Sequence, residues 1–489
     1  MKRYNLIFLF ACIFCTASCE NDFLNEEPYD FLAPENFYET EEDAFAALNA
    51  AYSVFLPSGY YNIFFWMVMD GSTDQLSVGT NKDWEFDINL HTFESISRGI
   101  VIVYDGLMTA LNPINAVIEF VPEIDMDPAT RNRIVAEAKF LRALNYYHLA
   151  GAWGGVPLVL KTTKNLNKET LNVPKSTQEE IFDQVIRDLK DAQEVLPISY
   201  PSSDYGRVTK GAALALEAKV YLYQKKFDLA AQKAKEVMDL GVYNLLPDYA
   251  ELWRVDNKNH NEEIFSIQRD CQVQVNFGGT FFSRRVFHYA PNGSGIIPGG
   301  EDGDWKAAPE FYNNFPDDYR KEVTFLTEWT YPNGTTRTFE PTCWKYYDPN
   351  MCGRNLASNN DPVLRYADVL LIYAESLNET NGPTAESYEA INRVRQRARG
   401  VGTIHEKPEN VLPDLANLSQ EEFREAVWQE RNLELCFESH RRYDLIRTGQ
   451  FEEEISNYLG RNVEPHKILF PISQTALDAN PLLEQNPGY

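Results

Sequence analysis

At 489 residues, with 44% apolar and 24% charged side chains, the chain is long enough for one large domain or two to three ordinary ones and too apolar for wholesale disorder. A formal net charge of −27, from 72 acidic and 45 basic residues, argues against a nucleic-acid surface and against a basic face for anionic lipid. Of the seven cysteines, Cys12, Cys15 and Cys19 lie at the start and Cys271, Cys343, Cys352 and Cys436 are scattered without a CxxC pair, which excludes a disulfide framework and a zinc-finger pattern. A loop bridge between Cys343 and Cys352 is compatible with an oxidising compartment.

Lys2 and Arg3 precede the apolar run Leu6–Cys15, which has the length of a signal-peptide core and is too short to span a bilayer. Thr16-Ala17-Ser18 then leads to Cys19. Small residues before a cysteine look like a bacterial lipobox, although Thr16 stands where leucine is usual. The expectation is a leader over 1–18, a lipidated tether over 19–35 punctuated by Pro28 and Pro34, and a single body over 36–489. No later run is read as reaching transmembrane length, so the body is expected to be anchored through Cys19 without crossing the membrane.

Within the body, Thr40-Glu-Glu-Asp predicts a capped helix over Glu41–Phe55. Helices are predicted over Tyr104–Phe120, kinked at Pro113, and over Ala129–Leu149. In EAKFLRALNYYHLAGAWGGVPL, Phe140, Leu144 and Tyr147 share one face, and Ala136, Ala143 and Ala150 let a neighbour approach. Gly151, Gly154, Gly155 and Val156-Pro157 stop that helix, and Trp153 closes its end. A partner helix over Thr177–Leu196 ends at Pro197. Two helix pairs with tetratricopeptide-like spacing follow, one over 209–240 turning at Lys225-Lys226, the other over 364–398 turning at Asn381-Gly382-Pro383. Further helix is predicted over Ser419–Phe437 and Arg441–Arg447. Between 255 and 359 the helical periodicity disappears, leaving a strand over Glu263–Arg269 and a hairpin turn at Pro332-Asn333-Gly334. That segment is too aromatic for a disordered linker. The prediction is a helical scaffold over 36–254 and 360–489 carrying an irregular binding region over 255–359.

No HExxH, P-loop, GxSxG or Rossmann glycine pattern occurs. Glu430 and Glu434 share a helix face, but Arg431, Arg441, Arg442 and Arg447 surround them, and carboxylates interleaved with arginines read as structural ion pairs. His148 and His440 read as scaffold histidines. The aromatic residues point to binding instead. A sugar offers an apolar C–H face to a flat ring and a rim of hydroxyls to amides, carboxylates and guanidinium groups. Trp153, Trp253 and Trp428 lie in helical segments and read as core, whereas Trp66, Trp84, Trp305, Trp329 and Trp344 lie in loop-like sequence. Trp84 sits among Asn81, Lys82, Asp83 and Glu85, and Trp305 follows Glu301-Asp302-Gly303-Asp304. Arg284 and Arg285 beside His288 and Tyr289 suit a carboxylate-bearing sugar. Asp70, Asp74 and the 301–304 loop carry oxygen ligands of the kind calcium takes, without EF-hand spacing, and solvated acidic turns are the simpler reading.

Five blocks in order, the Cys19-Glu-Asn-Asp-Phe-Leu start, EAKFLRALNYYHLAGAWGGVPL, LRYADVLLIYAESLNE with INRVRQRA, QERNLELCFESHRRYDLIR and the LFPI…QNPGY end, resemble the SusD/RagB family of outer-membrane nutrient-binding lipoproteins. The resemblance covers the whole chain. It implies a mostly α fold on tetratricopeptide-like pairs, no catalytic role, and a SusC-like TonB-dependent barrel as partner. It further implies a glycan site built from the loop after the first helices and from the irregular region, with peptide capture, as in RagB-like members, the alternative. From the residue chemistry above, with no family motif fixing them, the expected ligand-binding residues are Trp84, Asn81, Asp83, Trp305, Trp329, Tyr289, Arg284 and Trp66; no cofactor is expected beyond the calcium alternative.

Overall fold

Helix starts follow the capping residues. Thr40 accepts from the Asp43 amide and donates its own amide to the Asp43 carboxylate, opening α1 (Glu41–Ser53). The computed structural model describes residues 37–57, 59–79, 83–163, 171–272, 305–353 and 356–489, with Asp83 described in its backbone alone. Cys19, Asn81, Arg284 and Tyr289 lie outside the described residues.

After α1 come α2 (Ile63–Met69), β1 (Leu76–Val78), α3 (Asp83–Asn89), α4 (Arg98–Phe120) and α5 (Pro128–Trp153). Then follow α6 (Gln178–Val195), α7 (Lys210–Tyr223), α8 (Phe227–Asp239), β2 (Glu263–Ile267) and β3 (Trp305–Ala307). Short elements α9 (Pro309–Asn314), α10 (Tyr319–Thr324), β4 (Phe325–Thr330), β5 (Thr336–Cys343) and β6 (Asp361–Arg365) lead back to helix. The chain closes with α11 (Tyr366–Asn381), α12 (Ala385–Ala398), α13 (Gln420–Glu434), α14 (Arg441–Thr448), α15 (Phe451–Leu459) and α16 (Gln474–Ala479). The fold is mostly helical, as the sequence pattern predicts, with two differences in extent. α4 begins at Arg98, six residues before the predicted start, and the 305–343 stretch adds β3 and two short helices to the hairpin expected around Pro332-Asn333-Gly334.

The helices pack serially: α4 on α5, α5 on α6, α6 on α7, α7 on α8, α8 on α11, and α11 on both α12 and α13. The step from α8 to α11 skips the whole stretch between them, so that stretch is an insertion whose two ends return to the same place in the array. Antiparallel β2 and β6 close its base, with Ser266 opposite Pro362 and Glu263 opposite Arg365. α4 is long and apolar enough to cross a membrane on length and composition, contrary to expectation. It packs against α1, α2 and α5, and its apolar face belongs to the core.

Close approach decides the middle of the array. A Cβ on Gly151 would stand 2.6 Å from Tyr443 Cε1, so no other residue lets α5 meet α14 there. Gly154 (φ +75°) then caps α5, and the fully buried Trp153 donates from Nε1 to the Pro471 carbonyl.

A closed set of charges lies where the insertion meets α12 and α13. Glu434 accepts from Arg320, Arg365 and Arg397; Glu438 from Arg365 and Lys345; Glu262 from Arg365 and Arg397. Glu430 joins Arg320 to Arg395, and Asp318 pairs with Arg320. Burial alone would raise the Glu438 pKa; Arg365 and Lys345 overcome it and hold that carboxyl at about 2. These residues are the ion pairs expected of the Glu430–Arg447 block, extended to partners from the insertion.

The expected Cys343–Cys352 bridge is corrected. Cys352 pairs with Cys271 at a Cα–Cα distance of 5.8 Å, while Cys343, at the end of β5 opposite Phe325, is buried and free. Strand pairing turns Cys343 into the core, and the bridge instead ties together two points near the base of the insertion. Closing a loop of 81 residues contributes about 4–5 kcal/mol on the chain-entropy view.

Glu434→Ala leaves three buried arginines short of a partner and is expected to lower the unfolding free energy by about 3–5 kcal/mol. Glu421→Ala, whose partner Arg424 keeps Glu379, is expected to leave the denaturant midpoint in place. Urea unfolding of the two variants beside the parent checks this.

Candidate functional site

β1 and β3 form an antiparallel pair in which Leu76 faces Ala307 and Val78 faces Trp305. In sequence, β1 lies just before the polar stretch that precedes Trp84, and β3 follows Glu301-Asp302-Gly303-Asp304 directly. The pairing therefore joins residues that flank the two polar stretches the sequence singled out separately. Asn89 fixes α3 to that strand pair by donating to the Gly71 and Leu76 carbonyls, and the Tyr458 hydroxyl donates back to Asn89 Oδ1.

Trp84 stands near the start of α3, half-buried. Its ring leans on Phe64 with centroids 4.5 Å apart, and its Cε3 would lie 3.3 Å from a Cβ at Gly99. Phe64 is itself 8% exposed, and the exposed Arg98 guanidinium sits 5.3 Å from its ring centroid. The indole is thus braced from α2 and α4 while part of it remains in solvent, with a cation close by. Chemically this is a stacking platform with a hydrogen-bond donor beside it. The sequence reading missed Phe64, Arg98 and Gly99, because Phe64 belongs to an apolar run that reads as core and no spacing rule joins it to Trp84.

Two expected site residues are corrected. Trp66 lies in α2, where every residue is buried, and Trp305 is 1% exposed with its strand paired to β1. Both indoles belong to the core, and neither presents a face to ligand. Trp329 is half-buried but belongs to a different group: its ring lies 5.7 Å from Trp344, which stacks on Tyr347 at 4.2 Å with planes 14° apart. Trp344 and Tyr347 line a cleft of about 790 Å³. Among the described residues, the structure does not gather Trp66, Trp84, Trp305 and Trp329 into one site. Trp84 and Trp329 sit in separate aromatic groups, Trp66 and Trp305 are packed inside, and Asn81, Arg284, Tyr289 and the Asp83 side chain lie outside the described residues.

The acid and histidine groups have structural partners. Burial, reinforced by Lys219, pulls the His440 pKa down to about 3, and burial likewise depresses that of His148, which bridges the Tyr61 and Tyr443 hydroxyls at 2.6 and 2.7 Å. Asp74 forms a two-point pair with Arg441 at 2.8 and 2.6 Å. Asp70 accepts from the Ser439 amide and hydroxyl at 2.9 and 3.0 Å. Neither aspartate is a solvated turn residue. Among the described residues no group of three or more His, Cys, Asp or Glu is arranged to hold a metal ion.

Residues 299–489 match the model of the SusD family, and residues 66–222 match a model described as starch-binding associating with outer membrane. A SusD-like protein of Formosa agariphila is 29% identical over 543 aligned positions that take in the full length of both chains. Among solved structures, a SusD homolog from Bacteroides thetaiotaomicron superposes with a TM-score of 0.83 at 25% identity, covering 93% of this chain and 98% of that one. A structure described as a laminarin binding SusD-like protein superposes at 0.78 with 25% identity, covering 92% of this chain and all of that one.

Two outcomes follow from the burial of these groups. Trp305→Ala is expected to cost about 3–5 kcal/mol of stability and Trp84→Ala less than half as much, read from denaturant unfolding. Burial pushes the Asp70 carboxyl from its usual 3.8 up to about 7, so its ionisation opposes folding. The cost is absent below pH 3.8, grows as the unfolded chain ionises first, and is complete above pH 7, reaching roughly 4 kcal/mol at most. Asp70→Asn is expected to raise Tm at pH 8 and to show no gain at pH 3.5; a loss of Tm at pH 8 would contradict this.

Proposed function

The chain belongs to the SusD/RagB family, and on that premise we propose that it is a cell-surface lipoprotein that captures oligosaccharides and delivers them to a SusC-like TonB-dependent barrel. Capture is non-covalent. A sugar ring stacks on Trp84, the Arg98 guanidinium donates to hydroxyls at its rim, and Asn81 and Asp83 supply further polar contacts from the same loop. Arg284 and Tyr289 complete the site from the irregular region, and Cys19 carries the lipid that holds the body at the outer membrane. The observation that carries this reading is the Trp84 indole, held against Phe64 and Gly99 and still partly in solvent. A ring fixed in advance loses little conformational entropy when ligand arrives. The description of the matched amino-terminal model and the laminarin-binding neighbour support a glycan as the ligand class.

Catalysis finds no support in the same geometry. A glycoside hydrolase needs two carboxyl groups flanking the sugar, about 5–10 Å apart. Glu430 and Glu434, the one helix-face pair the sequence offered, share the buried Arg320 and do not face solvent.

Calorimetric titration of the unlipidated body, beginning at Glu20, against laminarin, starch-derived oligosaccharides and mixed peptides tests the proposal. Saturable glycan binding, weakened at least tenfold (about 1.4 kcal/mol) by Trp84→Ala and accompanied by no new reducing ends, is the expected result. Binding of peptides alone would overturn it in favour of a peptide-capturing lid.

A further inference from the structure

A cleft of about 790 Å³ shares no lining residue with the group that braces Trp84. Its volume falls in the range of roughly 300–1,000 Å³ typical of small-ligand sites. Clefts of about 320 Å³ beside Tyr52 and Arg207 and of about 280 Å³ beside Tyr200 and Tyr243 lie elsewhere, and the cavity beside it at Trp253 and His260, about 30 Å³, has room for little more than water.

The wall of the cleft is aromatic and fixed. Trp344 and Tyr347 stack nearly parallel, Trp329 leans on Trp344, and both rings of the stacked pair are half-buried. The Trp344 amide donates to the Thr324 carbonyl, and Asp348 accepts from the amides of Asn350 and Ser358, so the 344–350 turn is held at both ends. Trp253 forms the floor, with the buried Lys345 ammonium 4.2 Å from its ring centroid. On the opposite side Tyr319 stacks on His405 at 4.4 Å with planes 3° apart.

The rim is polar, and its charges are matched. Arg254 pairs with Asp256 through two bonds of 2.9 and 2.7 Å and with Glu251 at 3.3 Å; Glu322 pairs with Lys407. An ion pair of this kind presents donors and an acceptor side by side, as the neighbouring hydroxyls of a sugar ring require. With each of these rim charges already partnered, an anionic or cationic ligand gains little from entering. Flat rings, hydroxyl-matching polar groups and no charge demand suit a neutral pyranose.

We propose that this cleft is a second saccharide site, which stacks an uncharged pyranose on the Trp344–Tyr347 wall and holds its hydroxyls from Arg254, Asp256 and Asn350. The inference rests on the glycan reading above and adds a site to it. A chain long enough to reach both surfaces would be held by two attachments and would leave more slowly than one held by Trp84 alone.

The test is 19F NMR of the full body labelled with 5-fluorotryptophan, with resonances assigned by Trp84→Phe, Trp329→Phe and Trp344→Phe. The probes are laminarihexaose, maltohexaose, xylohexaose, a charged trigalacturonate and mixed peptides. A neutral hexasaccharide should shift the Trp344 resonance saturably, and should do so equally in the Trp84→Ala protein. Tyr347→Ala should weaken that response at least tenfold while Tyr347→Phe preserves it, which separates a lost ring from a misfolded chain. Silence at Trp344 with every sugar while Trp84 responds overturns the second site and leaves the glycan reading standing. Silence at both overturns both. A Trp344 shift produced only by peptides or by trigalacturonate also overturns the proposal.

Discussion

The interaction on which the structure depends is the buried network centred on Glu434 and Arg365. Five cations, Arg320, Lys345, Arg365, Arg395 and Arg397, meet five carboxylates, Glu262, Asp318, Glu430, Glu434 and Glu438, almost wholly out of solvent. A charge stranded in that environment would cost several kcal/mol, so the set is tolerable only when complete. Its members come from α10 and its cap, the segment after β5, β6, α12, α13 and the turn after it, and the turn before β2. None of these can move away alone without stranding a partner. A second set, with Lys219, Arg431 and Arg447 against Asp368, Glu375 and Asp444, joins α7, α11, α13 and α14 on the same principle.

This constraint explains how an array of helix pairs can carry a long insertion. The insertion leaves after α8 and rejoins at α11, and three devices fix its base: the β2–β6 pair, the Cys271–Cys352 bridge and the charge network. The aromatic cleft is lined mainly from the insertion, and β3, also part of it, reaches over to β1 beside the Trp84 helix. The surfaces proposed for binding are therefore held by the rigid scaffold. The carboxylates of both networks are matched by cations, whereas the buried Asp70 and Asp348 accept from neutral donors. The net charge of −27 favours solubility.

Much of the scaffold was legible because helix signals are local. Thr40 and Thr177 cap helices as their sequence contexts predicted, and the Lys225-Lys226 turn and the Pro332-Asn333-Gly334 hairpin stand where predicted. The tryptophans were harder to sort, because polar neighbours in sequence do not report what packs on a ring in space. Trp84 and Trp305 both follow polar, glycine-containing sequence; a three-residue strand pair buries one, while the other stays half in solvent at the head of α3. The cysteine pairing failed for a related reason. Cys343 and Cys352 are near in sequence, but β5 pairing carries Cys343 inward and leaves Cys352 beside Cys271. β1 and β3 are too short for alternation to reveal, and their contact spans more than 200 residues. That contact joins residues flanking the polar stretches before Trp84 and Trp305.

The central claim is that a rigid helical array presents a glycan surface at the edge where β1 meets β3. Hydrogen–deuterium exchange, with and without a saturating oligosaccharide identified by titration, tests it most directly. The account expects protection to rise in peptides covering 76–89 and 299–308, with the amides of α5, α7 and α11 unchanged. Protection confined to the helical array, or glycan binding that leaves 76–89 untouched, would contradict it.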